Sequence, residues 1–351
     1  MAREFTPARK MGAEAERRPL DSRGIVGLLS LPGRLSAVHT VLASAPAKVN
    51  LALRVGPPRL DGFHPLDTVF EALDLFDDVR ATALPDSDSV AQAGSGNRSV
   101  RLRYEGDDGG APTGDTNLAV RAAQLLRERY GIADGVELTL TKRIPVAAGL
   151  AGGSADAAAT LVACNELWGL GLDAPTLREL GAELGSDVPF CLLGGVAHAT
   201  GRGEELRVLR PGTMHSWILL VSPHGLSTPD VFREFDAIMG YRPVPESLVP
   251  ETEELQGTVG TADLRRMAPL MVNDLQEAAF SLYPTLRSII RKANSYGVAA
   301  LVSGSGPTVA VLAEDATTAD ALAGRLARDF PELTALRADG PAGGAHIRDA
   351  F

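Results

Sequence analysis

Residues 145–158 read Pro-Val-Ala-Ala-Gly-Leu-Ala-Gly-Gly-Ser-Ala-Asp-Ala-Ala, a glycine-rich turn that opens directly into an alanine-rich segment. Gly149, Gly152 and Gly153 carry no Cβ and can take positive φ, so the backbone there can close around an anion. From Ser154 onward the run is rich in alanine, the best helix former. The first N–H groups of such a helix have no acceptor within it and lie at the positive end of its dipole. Turn and helix start together predict a phosphate cradle. It is not a Walker A loop, which ends in Gly-Lys-Ser/Thr. Nor does it have the G-x-G-x-x-G spacing of a dinucleotide fold. On this segment alone, a plain linker between a strand and a core helix stays open.

Two further segments bear on that choice. In Ala45–Val55, the apolar Val49, Leu51, Leu53 and Val55 alternate with Lys48, Asn50, Ala52 and Arg54. A period of two predicts a strand with one apolar and one polar face, so Lys48 and Asn50 point the same way. The second segment is Gly185-Ser186-Asp187-Val188-Pro189-Phe190. It follows a helix predicted over 175–184, which Gly185 is placed to end, leaving Asp187 on a connection. Phosphoryl transfer needs a phosphate cradle, a cation near the transferred group and a carboxylate to take the proton of the attacking hydroxyl. Singly, Lys48 reads as a solvated strand lysine and Asp187 as a turn residue bonded to its own backbone. Jointly with the loop, they favour catalysis.

These segments resemble the signatures of the GHMP kinases, the family of galactokinase, homoserine kinase and mevalonate kinase. The 145–158 loop matches the second signature, and Leu301-Val302-Ser303-Gly304-Ser305-Gly306-Pro307-Thr308-Val309-Ala310-Val311-Leu312 matches the third. The resemblance runs from about residue 44 to about residue 340. It implies the α+β, two-domain GHMP kinase fold: a ribosomal protein S5 domain 2-like N-terminal domain over 44–200 and a ferredoxin-like C-terminal domain over 201–340. Residues 1–40 are then an extension and 341–351 a tail. Asp61-Gly62-Phe63-His64, the Asp187 segment and Ala199-Thr200-Gly201-Arg202-Gly203-Glu204-Glu205 resemble the branch of the family that phosphorylates a cytidyl diphosphate sugar alcohol in non-mevalonate isoprenoid synthesis.

The resemblance implies a role for each matching position. Asp187 takes the proton from the acceptor's 2-hydroxyl, and Lys48 holds Asp187 ionised. Pro145, Val146, Ala147, Ala148, Gly149, Leu150, Ala151, Gly152, Gly153, Ser154 and Ala155 form the ATP phosphate loop. Asn117 is a candidate for the adenine, and Ser154 for Mg²⁺. Asn50 sits by the acceptor hydroxyls. Phe63 and His64 hold the cytosine, by stacking and by hydrogen bonding. Gly304, Ser305 and Gly306 offer backbone N–H groups to a diphosphate, although they read equally as a tight hairpin. The chain departs from the common pattern at three places. Phe63 stands where many members have Tyr, which keeps the aromatic face and loses a hydroxyl. Ala151 and Ala155 stand where many have Gly and Ser, which costs backbone freedom and a hydroxyl. Other readings are another small-molecule kinase of the same fold, a related decarboxylase, or a nucleotide-binding protein without catalysis. A base paired with a lysine argues against the last, and an aromatic beside a histidine suits a nucleobase.

Composition agrees with a cytoplasmic enzyme, as monomer or homodimer. The 351 residues are enough for two domains. A formal charge of -10, from 34 Lys+Arg against 44 Asp+Glu, argues against nucleic acid and anionic membrane as partners. No apolar run approaches the ~20 residues of a membrane span. Cys164 and Cys191 lie in apolar stretches and read as reduced core thiols. Ala43-Ser44-Ala45 superficially resembles a signal-peptidase site, but cleavage there would leave Pro46 at the terminus, immediately before Lys48. Residues 1–40 read as a disordered extension or the product of an upstream start codon. Strands are predicted at 47–55, 67–75, 99–104 and 136–141, and a helix at 116–130. Surface loops are expected at 85–98 and 105–115, and another over 243–260. Beyond residue 213, strands at 216–222, 298–303, 307–313 and 333–338, with helices at 284–296 and 316–329, give a β-α-β-β-α-β order, which is ferredoxin-like.

Overall fold

The computed structural model describes residues 39–84, 100–240 and 252–351. Two strands dominate: β1 (Thr40–Val55) and β2 (Leu66–Leu84). They pair antiparallel along nearly their whole length, with irregularities between Pro46 and Ala47 and between Asn50 and Ala52. Then come β3 (Val100–Tyr104), helix α1 (Leu118–Tyr130), β4 (Gly135–Thr141) and helix α2 (Gly152–Leu167). Helices α3 (Ala174–Leu184) and α4 (Val188–Leu193) lead to the hairpin β5 (Val196–Thr200) and β6 (Glu205–Leu209). After β7 (His215–Val221) follow α5 (Thr228–Met239), α6 (Glu253–Val259), α7 (Leu264–Met267), β8 (Val272–Asn273), α8 (Gln276–Leu282) and α9 (Thr285–Ala293). The chain closes with β9 (Ala299–Val302), β10 (Val309–Leu312), α10 (Ala316–Asp329), β11 (Thr334–Gly340) and β12 (His346–Ala350).

Among the described residues these strands form two sheets. One runs β12-β1-β2-β4-β3, with β5 and β6 added beside β2 and β8 beside β1. The other runs β11-β7-β10-β9, all antiparallel, and carries the expected ferredoxin-like order. Helix α2 packs on β1 and β2. All five of its alanines are fully buried, and small side chains let helix and sheet approach closely. Between the sheets, the buried Glu71 of β2 accepts from His215 Nδ1 (2.6 Å) and from Trp217 Nε1 (3.3 Å) of β7. Burial pushes the Cys164 and Cys191 thiols well above their ordinary value, so both are inert core groups.

Two expectations change, and the boundary expected at residue 200 falls between the paired strands β5 and β6. Residues 341–351, expected as a tail, contain β12, which pairs with β1. Within 243–260, expected as a loop, residues 253–259 are helical because Leu255 and Val259, four apart, are both buried. Thr252 anchors that helix by donating both its N–H (3.2 Å) and its hydroxyl (2.6 Å) to Asp67. Ala43-Ser44-Ala45 lies within β1, its alanines wholly buried, and Ser44 donates to Asp78 at 2.5 Å. The loop predicted over 85–98 lies outside the described residues, as does the extension 1–40 up to residue 38; Thr40 already pairs with Thr82.

Candidate active site

A cleft of about 750 Å³ gathers residues from β1, the turn after it, the glycine-rich loop, the start of α4 and the β9–β10 turn. Lys48 projects into it from β1. The lysine is buried, with 4% of its surface exposed, so it is not a solvated strand lysine. Its Nζ donates to Asn50 Oδ1 at 2.8 Å and lies 3.8 Å from Asp187 Oδ2. It also sits 5.4 Å above the Phe70 ring. Asn50 is oriented from behind: its Nδ2 donates to Thr68 Oγ1 (2.9 Å), which donates to the Ala52 carbonyl (2.6 Å). That chain leaves Asn50 Oδ1 facing the ammonium.

Asp187 is the residue just before α4, yet its side chain makes no cap hydrogen bond. The turn-aspartate reading is therefore not realised. Pro189 in the first turn of α4 has no N–H to cap. The carboxylate remains about one-third exposed, beside the lysine and facing the cleft.

The glycine-rich loop holds its shape by an unexpected route. Gly149 has the positive φ predicted for it, but Gly152 and Gly153 are the first residues of α2, which starts two residues before Ser154. The other left-handed positions are Ala147 (φ 51) and Ala151 (φ 63). An L-residue there costs about 1–2 kcal/mol, so the loop stores strain where it turns into the helix. Gly152 is glycine for space, since a Cβ would lie 3.2 Å from Ile144 Cγ2. Ala151, the N-cap of α2, offers no side-chain cap, so the helix's first N–H groups are left for a ligand. Pro145, Ala147, Ala148, Gly149, Ala151, Gly152, Gly153 and Ser154 line the cleft. Val146 instead packs toward Gly109, and Leu150 and Ala155 are core. The loop is tied to β1 by Lys48 N–H donating to the Leu150 carbonyl at 3.2 Å.

The third glycine turn packs directly on the loop. A Cβ on Gly149 would fall 2.1 Å from the Ser303 carbonyl oxygen, and one on Gly304 would fall 3.0 Å from Lys48 Nζ. Gly304 and Ser305 line the cleft, and Gly306 lies behind them with its N–H on the Ser303 carbonyl. Ser305 Oγ meets Thr228 Oγ1 at 2.8 Å. At the far end of the cleft, His64 Nδ1 donates to the Gly56 carbonyl (2.8 Å), and Nε2 lies 3.3 Å from Asp236. Its ring packs 5.0 Å from Phe232. Phe63 is half exposed, with the Arg202 guanidinium over its ring at 5.0 Å.

Asn117, like Val146, Leu150, Ala155 and Gly306, is not part of the cleft lining. Asn117 caps α1: its Oδ1 accepts from Ala119 and Val120, and its Nδ2 donates to Tyr104 Oη and the Pro112 carbonyl. Its polar groups are spent on the fold. Conversely, sequence reasoning missed Thr68, Thr228, Phe232 and Asp236. Of these, only Thr228 carried a local signal, as the start of a Ser-Thr-Pro-Asp helix opening.

Known proteins resemble the chain over most of its length. Residues 117–195 match the GHMP kinases N terminal domain, and residues 250–332 match the GHMP kinases C terminal domain. The chain is 45% identical to a 4-diphosphocytidyl-2-C-methyl-D-erythritol kinase of Streptomyces avermitilis, across 88% of this chain and 99% of that one. It is 47% identical to the enzyme so named from Nocardia farcinica, across 88% and 96%. The chain belongs to the GHMP kinase family. A crystal structure of a 4-(cytidine 5'-diphospho)-2C-methyl-D-erythritol kinase superposes on this kinase with a TM-score of 0.65 and 34% identity, over 86% of this chain and all of that one. A homoserine kinase from Cytophaga hutchinsonii matches with a TM-score of 0.66 at 19% identity, over 89% and 98% of the two chains, which speaks for the fold alone. Among the described residues, no helix is long and apolar enough to cross a membrane.

Proposed function

We propose that this kinase transfers the γ-phosphoryl group of ATP to the 2-hydroxyl of 4-diphosphocytidyl-2-C-methyl-D-erythritol, giving the 2-phosphate and ADP. The substrate reading is supported by relatives of that name at about 45% identity over nearly their full length. The mechanistic reading is carried by one observation: the Asp187 carboxylate, uncommitted to its own helix, lies 3.8 Å from Lys48 Nζ beside the phosphate loop. Asp187 accepts the proton of the attacking hydroxyl as the O–P bond forms. Lys48 stabilises the carboxylate and the charge that develops on the transferring phosphoryl. The N–H groups at the start of α2 cradle the ATP phosphates.

Phe63 and Phe232 supply aromatic faces for the cytosine, with His64 between polar partners at the same end. Asn50 lies where the acceptor hydroxyls would sit, and the Ser305 turn where a diphosphate would lie. Among the described residues, no group of three or more His, Cys, Asp or Glu side chains could hold a metal ion. Mg²⁺ would arrive on the nucleotide, and the Ser154 hydroxyl, which lines the cleft, is the residue that would hold it. When bound, it would neutralise charge on the phosphate oxygens. The enzyme works in the cytoplasm, where ATP is available.

The test is ADP release with Mg-ATP and the cytidyl substrate, run beside homoserine and mevalonate, for the wild type and Asp187→Asn. Turnover confined to the cytidyl substrate, and reduced at least ~10²-fold in the variant, is expected. Turnover on homoserine or mevalonate instead would overturn the substrate. An Asp187→Asn enzyme as fast as wild type would overturn the base.

A further inference from the structure

Strand β9 is an edge strand of the second sheet, so half of its backbone groups face away from β10. Three side-chain amides take the place of a neighbouring strand. The Ala300 N–H donates to Asn294 Oδ1 (2.7 Å), and Asn294 Nδ2 donates back to the Ala300 carbonyl (3.4 Å). The Val302 N–H donates to Gln276 Oε1 (3.1 Å). Asn273 Nδ2 donates to the Val302 carbonyl (2.8 Å).

Asn273 differs from the other two. Its second N–H goes past the strand to the Gly304 carbonyl at 2.7 Å, and its Oδ1 accepts from Leu275 N–H at 2.9 Å. The side chain is buried and its amide capacity is largely used. The residue belongs to β8, which pairs in parallel with β1 at Leu53, five residues along the strand from Lys48. The Asp274 N–H donates to the Leu53 carbonyl at 2.9 Å. One amide therefore links the lysine's strand to the third glycine turn. That turn has no slack, because Gly304 abuts Lys48 Nζ and Ser303 abuts Gly149. A peptide is planar and trans, so holding the Gly304 carbonyl on Asn273 turns the Ser305 N–H the opposite way, and Ser305 lines the cleft.

We infer that Asn273 is a positioning residue for phosphoryl transfer: by holding the Val302 and Gly304 carbonyls, it fixes the 303–306 turn against Lys48 and the phosphate loop. The inference rests on the kinase reading above. It touches no substrate and acts through the turn. A turn displaced by about 1 Å can cost on the order of 10²-fold in rate.

The test compares two amides on one strand. Asn273→Asp keeps the acceptor and removes both donors at the turn. Asn294→Asp makes a similar loss at Ala300, away from the cleft lining. Thermal unfolding, kcat and both KM values are measured for each. The expected result is a fall in kcat of roughly 10- to 100-fold for N273D with KM changed less than about 3-fold, and N294D kinetics within about 2-fold of wild type at a comparable loss of Tm. Equal kinetics in the two variants would overturn the inference, as would an N273D loss confined to KM. Should N273D not fold, Asn273→Ala removes the same donors without adding charge, and the same outcomes apply. The wild-type rate on the cytidyl substrate tests the function reading separately. If the acceptor is another molecule, the N273D to N294D ratio is read from slow ATP hydrolysis.

Discussion

Two lysine–carboxylate groups flank the glycine-rich loop, and they differ in what is left over. Lys142, at the end of β4, donates to Asp77 and to Asp156 (2.6 Å), and its Nζ lies 3.4 Å from the Gly152 carbonyl. Asp77 also accepts the N–H groups of Arg143 (2.6 Å) and Ile144 (2.8 Å). All three side chains are at most 5% exposed. Burial pushes the Asp156 carboxyl up to about 7, although Lys142 pulls the other way. This group is buried away from the cleft, with Asp156 Oδ1 left without a partner. Lys48 and Asp187 have the same chemistry at 3.8 Å, but the carboxylate is 32% exposed and spends nothing on its helix. Residue types alone do not separate structure from catalysis here; unspent hydrogen-bonding capacity facing a cleft does.

The same substitution at both lysines is the sharpest way to break this comparison. Lys142→Met leaves two buried carboxylates without a countercharge, and a loss of about 3–5 kcal/mol in urea unfolding is expected. Whatever remains folded should keep KM for the acceptor within a few-fold. Lys48→Met leaves Asp187 in contact with water and orphans only the neutral Asn50 Oδ1, so stability should fall by about 1–2 kcal/mol, less than at Lys142. Turnover should fall about 10²- to 10³-fold, as when one preorganised charge is removed from a transition state. If Lys48→Met unfolds the protein as readily as Lys142→Met, or Lys142→Met slows a fully stable enzyme, the two groups are not different in kind.

The legible half of the site was the half written locally. Lys48 and Asn50 follow from a period-two strand, Asp187 from a helix stop, and the loop from its glycines. What the sequence did not reveal depends on contacts between distant positions. Asp77, Lys142 and Asp156 share no local spacing, and neither do Asn273 and Gly304. Asn117 looked available because a helix start at 116 places it inside the helix, whereas it is the N-cap of a helix that begins at Leu118. The left-handed residues Ala147 and Ala151 ran against propensity, which favours glycine there, because the loop is pinned by Lys48 and Ser303 on either side. The strand at 346–350 was missed because its side chains are exposed and only its backbone pairs with β1.

Asp78, next to Asp77, gives the structural side of the comparison a pH signature. Burial works against its charge, but the Arg143 guanidinium (2.9 Å) and the Ser44 hydroxyl (2.5 Å) hold its carboxyl below the ordinary value. A lowered folded value stabilises the fold above the unfolded pKa, near 4, and that contribution is lost as pH falls through the folded value. Asp78→Asn should therefore cost about 1–2 kcal/mol at pH 7. The gap from wild type should shrink as pH falls below the ordinary aspartate value and through the lowered folded value. Melting curves at several pH values check this, and a gap independent of pH would mean the carboxylate's charge contributes little.

The smallest effect is expected at Ala151, which lies between the two groups. The Leu150 carbonyl before it accepts from Lys48 N–H, and the Gly152 carbonyl after it faces Lys142. Ala151→Gly removes the left-handed strain of an L-residue at φ 63, about 1–2 kcal/mol. It also frees the unfolded chain, which takes back about 0.4–1 kcal/mol. The net should be a gain of at most about 1.6 kcal/mol, seen as a slightly raised Tm. If both lysines hold the loop in place, kcat and the KM for ATP should stay within about 2-fold, because a more permissive residue has nowhere else to go. A several-fold rise in KM for ATP at unchanged kcat would show instead that the alanine's own stiffness shapes the cradle. In that case the strain at Ala151 belongs with Lys48 and Asp187 on the working side of the molecule, and not with Lys142 beneath it.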